Sequence, residues 1–199
     1  MIEGMIILLI GLVLFLGIHS VRIVADDWRS RVVARRGAMT WKGLYSLLAI
    51  AGFVLICIGF GQARQQPVAL WSPPRWTHDI AAALTLLAFI LVTAAYVPGN
   101  GIKVRVQEPM ILGVKCWAFG HLCANGTLAD VVLFGSFLAW SVLDFRAAKQ
   151  RRRAGAAPAI APARRGRSAI TVVVGVLAWM LFAFHLHGPL IGVVPISMH

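Results

Sequence analysis

Negative charge is scarce in this 199-residue chain. Seven Asp and Glu stand against nineteen Lys and Arg, and charged residues of both signs make up only 13%. With 59% apolar residues and a mean hydropathy of +0.81, this shortage excludes a soluble domain, which carries about 25% charged residues, and identifies an integral membrane protein. Cysteine is also sparse. Cys57, Cys116 and Cys123 are odd in number and lie in apolar stretches, which excludes a disulfide framework and leaves them as membrane packing. The apolar N-terminus lacks a basic leader and a small-x-small cleavage site, so it reads as a retained helix rather than a signal peptide. A net charge of +12 raises nucleic acid as a partner. No fold motif or interleaved aromatic pattern accompanies the basic blocks, which excludes it. No repeat of solenoid length is present.

Apolar runs dominate what remains. A spanning helix needs about 20 mostly apolar residues, and six stretches qualify or approach this: Met5 to Val24, Gly43 to Phe60, His78 to Tyr96, Pro109 to Cys123, Thr127 to Leu143 and Ala169 to Leu186. The fourth is short and holds Lys115, and the fifth holds Asp130. The positive-inside rule decides the topology. With six spans and an external N-terminus, 16 of the 19 basic residues fall in cytoplasmic loops. A re-entrant fourth stretch would turn the Arg-rich segment after Asp144 outward. The expected fold is therefore all-α, a polytopic membrane helix bundle of six spans with both termini periplasmic. Residues 1–148 form a membrane domain of five spans. Residues 149–168 are a basic Ala/Pro/Arg cytoplasmic linker held near anionic lipid, and residues 169–199 are the sixth span and tail of the same domain.

Polar residues in this apolar setting are the candidates for function. His19, Arg22 and Asp26 recur at three- and four-residue spacing, which places them on one helical face where the first span leaves the bilayer. Lys115 costs roughly 2.5–3.5 kcal/mol at a span centre. Glu108 lies two turns earlier, about 10 Å along the helix, so a partner on another helix is expected. His121 ends the fourth span just before Asn125-Gly126, a strong turn signal, and Thr127 is placed to cap the next helix. Neutral imidazole is the usual axial ligand of haem b, which singles out His19, His121 and His187 over the span-opening His78 and the terminal His199.

The run Gly17-Ile18-His19-Ser20-Val21-Arg22-Ile23, then Asp26, Trp28, Arg29 and Lys42-Gly43-Leu44-Tyr45-Ser46, resembles the opening of the NnrU family. Trp117, four residues before His121 and running into Asn125-Gly126, resembles that family's most recognisable motif. His187, five residues before Gly192-Val193, resembles its C-terminal histidine. The resemblance implies a bacterial inner-membrane protein of nitrite and nitric oxide metabolism, working with other membrane proteins of nitrogen-oxide respiration in a lipid environment. A related domain occurs in the plant cis-zeta-carotene isomerase, a membrane haem protein. By that likeness His19 and His121 would ligate haem b, with Arg22 near a propionate. Ala118 replaces the isomerase's redox cysteine. Gln107-Glu108-Pro109 replaces the family's Arg-His-Pro, the element shared with membrane S-adenosylmethionine methyltransferases, whose later acidic pair is also missing. A non-catalytic accessory or interaction protein and a degenerate relative of those methyltransferases are the alternatives to haem chemistry. Depth along the spans puts His121 and His187 on the external side and His19 near the cytoplasmic one, so either histidine stands as the partner of His121.

Overall fold

The computed structural model describes residues 2–193 and 195; His199 lies outside them. In chain order the helices are α1 (Ile2–Val24), α2 (Asp26–Arg36), α3 (Ala38–Ala63), α4 (Trp76–Tyr96), α5 (Gly101–Val106), α6 (Pro109–Ala124), α7 (Leu128–Arg153) and α8 (Arg167–Leu181). A π-helical turn, Phe182–Leu186, then leads into α9 (His187–Ile191). Among the described residues there is no strand, only an antiparallel bridge between Ala69 and Thr127. All six predicted apolar stretches are helical. Among the described residues five helices are long and apolar enough to cross a membrane, the last running on through the π turn to Ile191. The exception is α6, whose 16 residues rise about 24 Å against a hydrocarbon core of about 30 Å.

One boundary differs from expectation. Residues 149–153, assigned to the linker, continue α7. Lys, Gln and Arg are strong helix formers, and cations in the last turn suit the negative end of the helix dipole. The chain forms two compact units, Met1–Trp71 with Thr127–Asp144, and Ser72–Gly126 with Phe145–His199.

In the first unit α1 packs antiparallel on α3 with almost no side chain between them. A Cβ on Gly11 would stand 2.6 Å from the Ile56 amide nitrogen, and one on Gly52 2.7 Å from that of Phe15. A Cβ on Gly59 would collide with the Leu8 amide nitrogen. Glycine at these positions lets the backbones approach, the usual device where lipid offers no hydrophobic driving force between helices. The opposite faces leave Ile6, Leu9, Ile10 and Val13 of α1 and Ile50 and Phe53 of α3 exposed, which suits a lipid solvent. The N-terminus of α7 is closed as the sequence suggests: the Asp130 amide donates to Thr127 Oγ1, and the Asp130 carboxylate accepts from the Thr127 hydroxyl at 2.6 Å and its amide at 3.1 Å. Asp130, 7% exposed, is thus a reciprocal cap.

In the second unit α4 packs against α6 and α8. Small residues again permit contact, with a Cβ on Gly175 falling 2.7 Å from Ile90 Cα. The connection after α4 is fixed by Asn100, which is fully buried. Its amide donates to the carbonyls of Ala94 and Val97, and its oxygen accepts from the Lys103 amide. The segment leading into α8 is tied to this turn: the Arg164 amide donates to the Gly99 carbonyl at 2.8 Å, and the Gly101 amide donates to Ser168 Oγ at 2.8 Å.

Candidate functional site

A cavity of about 220 Å³ lies within the second unit, where α4 begins and α6 and α8 end. Ala81, Ala82, Ala124 and Ala183 make the room; Phe89, Trp117, Trp179 and Phe182 supply aromatic walls. His78, His121, Asn125 and His187 add the polar groups. The indole of Trp179 donates to Thr85 Oγ1 at 3.1 Å, and the Thr85 hydroxyl donates to the Ala82 carbonyl, so these two are satisfied within the wall.

The shape of the third wall follows from one proline. Pro189 has no N–H to give the His185 carbonyl and crowds it, and the preceding turn widens: the His187 amide bonds to the Phe182 carbonyl, five residues back. Such π turns are rare and recur at functional sites. Here Phe182, Ala183 and His187 all line the cavity.

The two central histidines meet opposite kinds of partner at Nδ1. His187 Nδ1 lies 2.7 Å from the Val193 carbonyl. A carbonyl only accepts, so Nδ1 carries the proton and Nε2 keeps its lone pair. At His121 the neighbour of Nδ1 is the amide nitrogen of Asn125, 3.4 Å away. That nitrogen also donates to the His121 carbonyl at 2.8 Å, which fixes the orientation of the amide. An amide nitrogen only donates, so His121 Nδ1 accepts and the ring proton sits on Nε2. Trp117 holds the His121 ring edge-on at 5.5 Å, and Phe182 does the same for His187 at 5.6 Å.

The other predicted residues fall elsewhere. His19 belongs to the first unit, where its Nδ1 donates to the Phe15 carbonyl at 2.7 Å. Its ring stacks on Phe15 at 4.2 Å, beside Tyr45 and edge-on to Trp140. Arg22 and Asp26 meet as expected, at 3.9 Å, and Arg29 approaches the same carboxylate at 3.7 Å. Lys115 does find its partner across helices, but it is a ring: its ammonium stands 4.6 Å from the centre of Phe145. Glu108 instead accepts from Arg152 Nη2 at 2.7 Å. Gln107, with φ +66°, turns the chain sharply between α5 and α6, and Pro109 opens α6, where its missing N–H is harmless.

Sequence reasoning missed the aromatic walls, the π turn and the place of His78 at the cavity. Pro189, four residues after His185, was the one readable signal.

A family model described as NnrU protein matches residues 7–195. No curated protein and no solved structure matches the chain.

Proposed function

Because the chain belongs to the NnrU family, we propose that it serves bacterial nitrite and nitric oxide metabolism in the inner membrane, with the cavity shared by His121 and His187 as its ligand site. The observation that carries the site is a pair of imidazoles in one largely apolar cavity whose Nδ1 atoms face opposite partners, an amide nitrogen at His121 and a carbonyl at His187. One presents a donor nitrogen and the other an acceptor, in a low-dielectric setting where a matched hydrogen bond counts for more and a mismatched one is expensive. In a host that grows on nitrate without oxygen, loss of this chain is expected to cause nitrite or nitric oxide to accumulate. The wild-type gene should restore the balance. A variant with the cavity filled, Ala82→Phe, should fail to do so while reaching wild-type levels in the membrane. Full rescue by Ala82→Phe would remove the cavity from the function.

The topology belongs to the same reading. Six spans, with α6 as a short one and both termini periplasmic, keep 16 of 19 basic residues in the cytoplasm. Reporter fusions at Arg36 and Arg153 are expected to read cytoplasmic and one at Pro73 periplasmic. A periplasmic signal at Arg153 would sink this arrangement.

Haem b, the cofactor implied by the family likeness, does not fit the cavity. At about 220 Å³ it is below the roughly 300–1,000 Å³ of sites for drug-sized ligands, and a porphyrin is larger than most of those. Among the described residues no Lys or Arg lines it to pair with propionates. The proton on His121 Nε2 also opposes iron ligation at that nitrogen, because a ligating imidazole offers a lone pair. No step of the function is therefore routed through haem at this site.

A further inference from the structure

We infer that the cavity takes a single hydroxylated aromatic ring, the reduced headgroup of a membrane quinol, and prefers it over the oxidised quinone. The inference rests on reading the cavity as the ligand site and adds the class of ligand. Volume sets the first limit, since about 220 Å³ admits one substituted ring and not a fused polycycle. The walls set the second. Phe89, Trp117, Trp179 and Phe182 offer flat faces and edges, against which an aromatic ring packs in offset or edge-on geometry.

The histidines set the third limit and the redox preference. A ring hydroxyl is both donor and acceptor. It can give its proton to His187 Nε2, whose lone pair is fixed by the bond from Nδ1 to the Val193 carbonyl. The same oxygen can accept from His121 Nε2–H, a tautomer fixed by Asn125. A quinone carbonyl satisfies only the His121 donor and sets its lone pairs against that of His187. Leaving that acceptor unmatched once the ring covers it is worth about tenfold in affinity. Among the described residues no Lys, Arg, Asp or Glu lines the cavity, consistent with a neutral ligand drawn from the bilayer.

The test is a titration of the full chain in lipid nanodiscs, followed by quenching of tryptophan fluorescence. The probes are a decyl-tailed benzoquinol kept reduced under anoxic conditions, its benzoquinone, and the untailed benzoquinol. Saturable quenching by the tailed quinol, about tenfold tighter than by the quinone, is the expected result. Weaker but still saturable binding of the untailed ring would identify a membrane quinol rather than a free phenol as the natural source; equal affinity for both would assign a free phenol and overturn the quinol assignment. His187→Leu should bring quinol and quinone to equal affinity, and Asn125→Leu, which releases the His121 tautomer, should narrow the gap. Ala82→Phe, or Ala124→Leu should that variant misfold, should abolish saturable binding of every probe. Equal wild-type affinity for quinol and quinone, or a preference unchanged in His187→Leu, overturns the inference while leaving the cavity intact as a site. Saturable binding that survives both filling variants overturns the site itself. A Soret band in the purified protein that His187→Leu removes would overturn the inference in favour of haem.

Discussion

Gly59→Leu is expected to eliminate folded protein, and Gly59→Ala to destabilise it by more than the roughly 1–3 kcal/mol of ordinary overpacking. The reason is what the new Cβ meets. It collides with the Leu8 amide nitrogen and lies 2.7 Å from Leu8 Cα and 2.8 Å from the Gly4 carbonyl oxygen. These are backbone atoms of α1, which cannot rotate aside as a flexible side chain would. The two helices must separate or shear, and contacts along the whole interface then weaken. Gly11→Ala should behave similarly, since its Cβ would lie 2.6 Å from the Ile56 nitrogen and 2.9 Å from the Leu55 carbonyl carbon. Gly17 and Gly61 have nothing within 4 Å. Alanine at either is expected to stay within about 0.5 kcal/mol of wild type or to gain from the better helix propensity of alanine. Thermal melting in detergent, read by monodisperse recovery, checks the four alanine variants, and the yield of folded protein checks Gly59→Leu. If Gly59→Ala melts with the wild type, the tight α1–α3 interface is wrong.

Glu108→Ala should lower stability by about 1–3 kcal/mol, a discounted form of the larger penalty for orphaning a fully buried charge. The pair is short, 2.7 Å, and the two side chains are only 23% and 26% exposed. Arg152 Nε already has no acceptor among the described residues, so removing the carboxylate leaves the guanidinium worse matched. Glu108→Arg should be poorer still, through like-charge contact, and Arg152→Glu in the same chain should recover part of the loss. Melting temperatures of the two singles and the double provide the cycle; singles that add without coupling would dismiss the pair.

These two sites also show what a linear reading can and cannot reach. Glu108 and Arg152 are separated by 44 residues, and nothing in the local sequence pairs them. Glycines inside greasy runs carry no periodic signal of their own, so Gly11 and Gly59 passed unnoticed although they set how closely two helices lie. Local chemistry was far more legible. Apolar length located the five long helices and the shorter α6, and Thr127 with Asp130 closed α7 as its side chains dictate. Arg22 met Asp26 at the predicted spacing. For the cavity, the sequence offered His121, Asn125 and His187. It could not supply the wall, because the wall joins α4, α6 and the widened turn after α8, and contacts between distant segments depend on packing. Lys115 illustrates the same limit: a cation in a span demands a partner, but its choice of the Phe145 ring follows from which face of α7 it meets.

The anchoring of Arg164 to Gly99 and of Ser168 to Gly101 has a consequence for how this chain can change. With α7 ending at Arg153 and those bonds holding the far end, the Ala- and Pro-rich stretch between is a closed loop with both ends fixed. The free energy of closing such a loop grows only with the logarithm of its length, so doubling it costs about 0.6 kcal/mol. Its length and composition are therefore nearly neutral variables, open to drift, insertion of a tag or acquisition of a recognition motif around Ala157. A single residue inserted between Arg164 and Ser168 would instead throw one of the two anchors out of register.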